Sequence, residues 1–383
     1  MKKFFVLIFV LTLIVILFIC GKTFVTNSDI EAEADLISLS VTSINETTNI
    51  TLLPDQDEYS VTVDSDIYGV NVSIEKIEGT DVFIDGIKYD EAKCLVELSQ
   101  EYDDYANYSK EVEIKLKSDI EKIYTLNIVR EDLTDIYDLF ETKTYTDNET
   151  GLELPYLIYV PTNYDKTKQY PVVFALHGSG QRTQSTDMIL KRYKMATVWA
   201  KDSEEGVNEC IVIAPHLNST DPIVNWTSLQ AYREGLAEDA FEIDEYSIAA
   251  YNMLMEVTKQ YSVNKDKFYM TGLSSGGFGT YAIASVYPNT FAAIVPICGG
   301  LDPESAKHIK DIPKWIFHAK NDPSVNIDEY LYPTINSIEE VGGVYCLTIY
   351  DEDKVFYPSS HFSWSPAYND EEMRTWLFDQ SKQ

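Results

Sequence analysis

The stretch Phe268-Tyr269-Met270-Thr271-Gly272-Leu273-Ser274-Ser275-Gly276-Gly277-Phe278-Gly279 decides the fold. An apolar, strand-like run enters it, and a run of small residues suited to a helix leaves it. Between the two the chain must turn sharply. Gly272 and Gly276, two residues either side of Ser274, leave room for that turn, which forces Ser274 into a strained backbone and exposes its hydroxyl. A strand, a tight turn and a helix in this order form the repeating unit of a sheet covered by helices.

Outward from that point, residues 132–383 alternate strands with helices and have the length of one α/β domain with a mostly parallel sheet. An opening hairpin is expected around Asp147 to Gly151. Further strands are predicted near Val172 to Leu176, Ile211 to Ala214, Phe268 to Thr271, Ala292 to Ile297, Trp315 to His318 and Val344 to Tyr350. The clearest helix spans roughly Glu242 to Tyr261. There Ala250, Leu254, Val257 and Tyr261, flanked by Tyr251 and Met255, make an apolar stripe that reads as core.

Residues 36–131 follow a different period. Tyr59, Val61 and Val63, then Val70, Val72 and Ile74, then Val112, Ile114 and Leu116, then Tyr124, Leu126 and Ile128 alternate with polar residues. Each strand therefore has one wet and one buried face, the pattern of a β-sandwich. Its first strand (Leu36 to Val41) and the runs Tyr59 to Val63 and Tyr124 to Ile128 resemble the cadherin-like, immunoglobulin-type domains of bacterial surface proteins. No titratable cluster there suggests chemistry, so its ligand is left open and a spacer or contact module is the expectation.

The 383 residues carry 30 basic against 62 acidic side chains, a net charge of −32 that repels phosphate backbones and disfavours nucleic acid as a partner. A hydrophobic content of 45% is enough for packed cores in two domains. After Cys20 come only Cys94, Cys210, Cys298 and Cys346, with no paired spacing for zinc and no calcium-loop spacing, so no metal or cofactor is implied. Cys210 and Cys346 fall in strand-like runs and read as buried hydrophobes.

Lys2 and Lys3 precede an apolar stretch from Phe4 to Cys20, broken only by Thr12, in the order of an export signal. An extracytoplasmic, membrane-tethered protein is expected. Cys20 followed by Gly21 resembles a bacterial lipoprotein signal with lipid on Cys20, while Ile19 before the cysteine keeps an uncleaved membrane anchor open. Ala32-Glu33-Ala34 offers a third, secreted alternative. The polar residues 21–35 read as a linker.

A serine hydroxyl is a weak nucleophile until a histidine accepts its proton and a carboxylate holds that histidine's tautomer. On the strand-turn-helix elbow the chain order is serine, acid, histidine. His177 and His216 precede Ser274. Of the three that follow, His308 lies in a charged segment, His318 within a strand, and His361 in a polar loop after the last strand. His361 is the candidate base. Asp322, directly after the strand ending at His318 and before Pro323, is the candidate acid, with Asp302 one strand earlier as runner-up. An oxyanion hole needs two backbone donors. Ser275 supplies one, and the loop His177-Gly178-Ser179-Gly180 supplies the other, assigned to the Ser179 amide with Gly178 and Gly180 as rivals. His177 reads as a brace for that loop.

Residues 176–180, Thr271 to Gly279, Pro296-Ile297-Cys298-Gly299-Gly300, Pro313 to Pro323, and His361 with Ser363, Trp364, Pro366, Ala367 and Tyr368 carry a further resemblance. Together they resemble secreted α/β-hydrolase esterases related to feruloyl esterases and polyhydroxybutyrate depolymerases, a group also labelled predicted peptidases. The resemblance implies the α/β-hydrolase fold, the triad Ser274, Asp322 and His361, and esters of plant polysaccharides, acetyl or feruloyl, as substrates. After Gly180 the family's glutamate, arginine, glycine is replaced by Gln181, Arg182 and Thr183. Trp226 and Trp364 fall in loops at the expected active-site face, where they serve either as aromatic platforms for substrate or as loop packing. A peptidase on the same triad, or a surface-binding protein with a non-catalytic hydrolase scaffold, are the alternatives.

Overall fold

The computed structural model describes residues 36–382, except 54, 90–92, 99–108, 230–232, 234, 236–240 and 352–356. The apolar leader, Cys20 and the expected linker at 21–35 lie outside the described residues. Among the described residues no helix is long and apolar enough to cross a membrane.

Among the described residues nine strands come first: β1 (Leu36–Thr42), β2 (Thr47–Ile50), β3 (Glu58–Val63), β4 (Gly69–Lys76), β5 (Asp81–Ile84), β6 (Ile87–Tyr89), β7 (Lys93–Glu97), β8 (Ser109–Lys117) and β9 (Glu121–Arg130). They make two sheets, ordered β2-β1-β4-β7 and β3-β9-β8-β5-β6. The alternation read from sequence is the alternation of burial: Tyr59, Val61 and Val63 of β3 point inward while Glu58, Ser60 and Thr62 face solvent. Val70 and Val72 from one sheet and Val112, Ile114, Leu126 and Ile128 from the other share a single apolar core. Two sheets thus pack face to face. The pairing of β3 with β9 is parallel, in an otherwise antiparallel arrangement.

Eight further strands form one mixed sheet: β10 (Phe140–Thr146), β11 (Glu153–Tyr159), β12 (Tyr170–Leu176), β13 (Ile211–Pro215), β14 (Val263–Leu273), β15 (Ala293–Ile297), β16 (Trp315–Ala319) and β17 (Cys346–Tyr350), ordered β10-β11-β13-β12-β14-β15-β16-β17. The β10–β11 hairpin turns through residues 147–152, where Asp147 Oδ2 accepts the Thr150 amide at 2.7 Å. From β13 to β17 every pairing is parallel.

Helices cover both faces, which the burial along β12 makes plain. Val172 and Phe174 join one apolar cluster, and Val173 and Ala175 join the other. A parallel sheet buried on both sides needs this continuous apolar run, and fully burying each Val, Leu or Phe contributes about 1.5–3 kcal/mol. The clearest predicted helix runs Glu245–Val257, capped by Asp244, whose side chain accepts the Tyr246 amide. Ala250, Leu254 and Val257 are buried as expected, but Met255 is exposed because it lies off the stripe. Cys346 is exposed too, contrary to its reading as a buried hydrophobe, since β17 is the sheet's edge strand.

The two parts touch near one rim of the mixed sheet. Buried Lys194 bonds Asp64 Oδ1 at 2.8 Å and Asn369 Oδ1 at 2.9 Å. Tyr68, which follows β3, donates its hydroxyl to the Arg192 carbonyl at 2.9 Å and meets the Phe362 ring edge-to-face at 5.7 Å.

Candidate active site

Strands β12, β14, β15 and β16 all end at the same rim, and the residue or loop that follows each one faces a common point. Ser274 follows β14 and caps the helix Ser275–Val286 with φ 55° and ψ −122°. That region is costly for a residue with a Cβ, on the order of 1–3 kcal/mol, and persists only where the surroundings enforce it. Here they do. A Cβ on Gly272 would stand 2.2 Å from the Gly276 carbonyl oxygen, and one on Gly276 would stand 2.2 Å from the Leu176 carbonyl oxygen. Both positions require glycine for close approach.

Three side chains named from the sequence meet at this point. His361 Nε2 lies 2.9 Å from Ser274 Oγ, and His361 Nδ1 lies 2.7 Å from Asp322 Oδ2. With Nδ1–H donating to the carboxylate, Nε2 is left as the acceptor for the serine proton. His361 sits in the short turn Ser360–Phe362, whose amide at 361 donates to Ser359 Oγ at 3.2 Å. Asp322 has no exposed side-chain surface, and its Oδ1 accepts the amides of Ser324 at 2.8 Å and Val325 at 2.9 Å.

Burial works against the charge on Asp322, but the bond to His361 and the two amides more than offset it, so its carboxyl titrates below the ordinary value. For His361 burial again disfavours charge. The neighbouring Cys298 sulfur and the Asp322 carboxylate outweigh that and hold its pKa above that of an ordinary histidine.

The remaining histidines are placed elsewhere. His177 is fully buried and its pKa is pushed down to about 3 by desolvation, so it is neutral. It donates from Nδ1 to the Gly178 carbonyl at 2.7 Å and accepts the Leu217 amide on Nε2 at 3.0 Å. His216 contacts the Gln181 carbonyl at 3.1 Å, His318 donates to the Val325 carbonyl at 2.8 Å, and His308 is exposed. Asp302, the runner-up acid, caps a short turn by accepting the Glu304 amide and the Ser305 hydroxyl.

The loop after β12 passes beside the serine: a Cβ on Gly178 would stand 3.5 Å from the Ser274 Cβ. Ser179 and Ser275, the two residues assigned as oxyanion donors, are joined by a residue the sequence did not single out. Asn225 Oδ1 accepts the Ser275 hydroxyl, and Asn225 Nδ2 donates to Ser179 Oγ at 3.0 Å. Arg182 holds the same loop from outside, donating to the Ser179 carbonyl at 3.1 Å and the Asp221 carbonyl at 2.8 Å. Nothing local marks Asn225. Its role exists only because the loop at 225 folds back over the start of the nucleophile helix.

The two tryptophans do not offer platforms. Trp226 is 0% exposed, donates Nε1 to the His177 carbonyl at 2.8 Å and stacks edge-on to the His177 ring. Trp364 is 2% exposed and packs edge-to-face on His361 at 5.1 Å and against Tyr193 at 4.9 Å. Both indoles brace catalytic-face loops from beneath, so the packing alternative is the correct one. Cys298, with φ 40°, follows β15 and places its sulfur beside the site, where it accepts the Ser274 amide at 3.3 Å. Among the described residues, Cys298, Asp322 and His361 are the group whose donor atoms lie close enough together to share a metal ion.

The profile of the Esterase family, described as "Putative esterase", matches residues 148–345. Over 168 residues the chain is 24% identical to poly(3-hydroxyalkanoate) depolymerase C of Paucimonas lemoignei, a match covering 43% of this chain and 35% of that protein. A 48-residue stretch is 46% identical to acetylxylan esterase A of Aspergillus oryzae, covering 12% of this chain and 16% of the relative. The chain therefore aligns with well under two thirds of either relative's length. The crystal structure of a thermostable esterase superposes with a TM-score of 0.62 at 25% identity, over 86% of this chain and 100% of that one. That share exceeds residues 132–383, so the likeness reaches into the β-strands that precede the mixed sheet. With an α/β-hydrolase sheet, a serine on its strained elbow and a family profile spanning more than half of its residues, this chain belongs to the Esterase family.

Proposed function

We propose that the protein hydrolyses carboxylic esters through an acyl-enzyme on Ser274, and the observation that carries this reading is the continuous line from Ser274 Oγ through His361 to Asp322. Ser274 Oγ attacks the ester carbonyl while His361 Nε2 takes its proton, and Asp322 stabilises the imidazolium that forms. The amides of Ser275 and Ser179 receive the oxyanion, the first of them a helix N-terminal donor that has no acceptor within its own helix. His361 then gives its proton to the departing alcohol. Water, activated by the same imidazole, resolves the acyl-enzyme. No step calls on a cofactor.

Acetyl or feruloyl esters of plant polysaccharides are the proposed substrates, supported by the local similarity to an acetylxylan esterase. Lys2, Lys3 and the apolar run to Cys20 support an extracytoplasmic, membrane-tethered location. Mass spectrometry of the mature N-terminus distinguishes a lipidated Cys20 from an uncleaved anchor. Turnover of p-nitrophenyl acetate by the full chain tests the chemistry. Ser274→Ala should lower kcat by roughly 10⁶ if the triad acts as a unit. Unchanged turnover, or a folded protein that a fluorophosphonate never labels, would remove the assignment.

A further inference from the structure

We infer that Cys298, His361 and Asp322 form a binding site for a soft divalent cation, with zinc as its probe, and that filling this site switches catalysis off. The inhibition rests on the esterase reading above; the binding does not.

The donor set is the first argument. A thiol sulfur, an imidazole nitrogen and a carboxylate oxygen lie within 4.8 Å of one another. Tetrahedral zinc, with bonds of about 2.0–2.3 Å, sets its donors roughly 3.3–3.8 Å apart, so small side-chain adjustments complete the geometry. Magnesium and calcium prefer six or more oxygens, which this cluster does not offer. A mixed sulfur, nitrogen and oxygen set selects a softer ion.

The cysteine is also held in place. Cys298 is fully buried, its amide donates to the Phe317 carbonyl at 2.8 Å, and its backbone takes a left-handed φ of 40°. Its sulfur is thereby held within 4.8 Å of the histidine nitrogen. His361 keeps 13% of its side chain exposed, which gives solvent access to the ring. A water completes the fourth position.

Occupancy removes the base. At Nδ1, the ring nitrogen beside Asp322, the ion displaces the proton, which moves to Nε2 and blocks the lone pair that would accept the serine proton. The thiol proton leaves to solvent on binding.

Binding is measured first on the full-length Ser274→Ala variant, which keeps all three donors and needs no turnover, by calorimetry or competition with a chromophoric chelator. One zinc ion per chain above the weak background of an acidic surface is expected. Replacing Cys298 in that variant, by Cys298→Ala and by the volume-conserving Cys298→Ser, should weaken this phase by at least about a hundredfold, since outer-shell partners alone are worth 10–100-fold. In the active chain, zinc should abolish p-nitrophenyl acetate turnover, a chelator should restore it, and magnesium should do neither. The Cys298 variants should keep their own turnover at the same zinc concentration. Absence of a one-to-one phase, or a phase indifferent to both Cys298 substitutions, would overturn the site. Tight, Cys298-dependent zinc binding by a chain with no turnover at all would uphold the site and defeat the esterase reading instead.

Discussion

Replacing Asp322 by asparagine probes the site with the smallest change of shape. Oδ1 accepts two backbone amides, from Ser324 at 2.8 Å and Val325 at 2.9 Å. In Asp322→Asn only the amide oxygen can face those two donors, so the NH₂ group must occupy the position of Oδ2, 2.7 Å from His361 Nδ1. A donor now faces a donor. The imidazole answers by moving its proton to Nε2, which then cannot accept the proton of Ser274 Oγ, 2.9 Å away. A tautomer error of this kind costs about 10⁴ in kcat, or roughly 5.4 kcal/mol of transition-state stabilisation. Because Asp322 is buried behind the histidine, KM should stay within a factor of a few. The assay is p-nitrophenyl acetate turnover with the melting temperature measured in parallel, since the retained amide bonds should keep the variant folded. A kcat within tenfold of the unsubstituted chain would refute the reasoning, because the carboxylate would then not govern the tautomer.

The pH profile follows from the same contacts. His361 must be neutral to act, and its pKa is raised, so kcat/KM should fall as pH drops through a value above the ordinary 6.5 or so of histidine. Stability moves the other way: the charged imidazole's favourable contacts are fully present below the unfolded-state pKa and lost as pH rises through the folded one, and a melting-temperature series against pH would show it. Asn225→Ala should lower kcat by less than the ~10²–10³ that loss of a whole oxyanion donor costs, with KM nearly unchanged, because Asn225 only positions Ser179 and Ser275. An equal rise in KM would instead mark it as a substrate contact. Tyr68→Ala should destabilise by about 3–5 kcal/mol as a buried aromatic truncation and also lower kcat by loosening the Phe362 side of the histidine turn, whereas Tyr68→Phe should restore most of kcat. If the alanine variant melts early yet keeps full kcat at low temperature, the β-sandwich side does not position His361.

Much of this protein is legible along the chain because the signals are local. The alternation at Tyr59, Val61 and Val63 and the double-faced apolar run of β12 specify their burial without reference to anything distant. The elbow at Ser274 is likewise a matter of neighbouring glycines, and chain order alone separates His361 from His177 and His216. Tertiary structure decided what order and period cannot express. Trp226 and Trp364 occupy loops, as read, yet both indoles turn inward, because burial depends on which surfaces arrive from elsewhere. Asn225 bridges residues 46 and 50 positions away, and Cys298, Asp322 and His361 share no spacing motif, yet their donor atoms converge at the end of one sheet. A strand end is a local property; the company it keeps is set by sheet order, and that order is written in the packing of the whole domain.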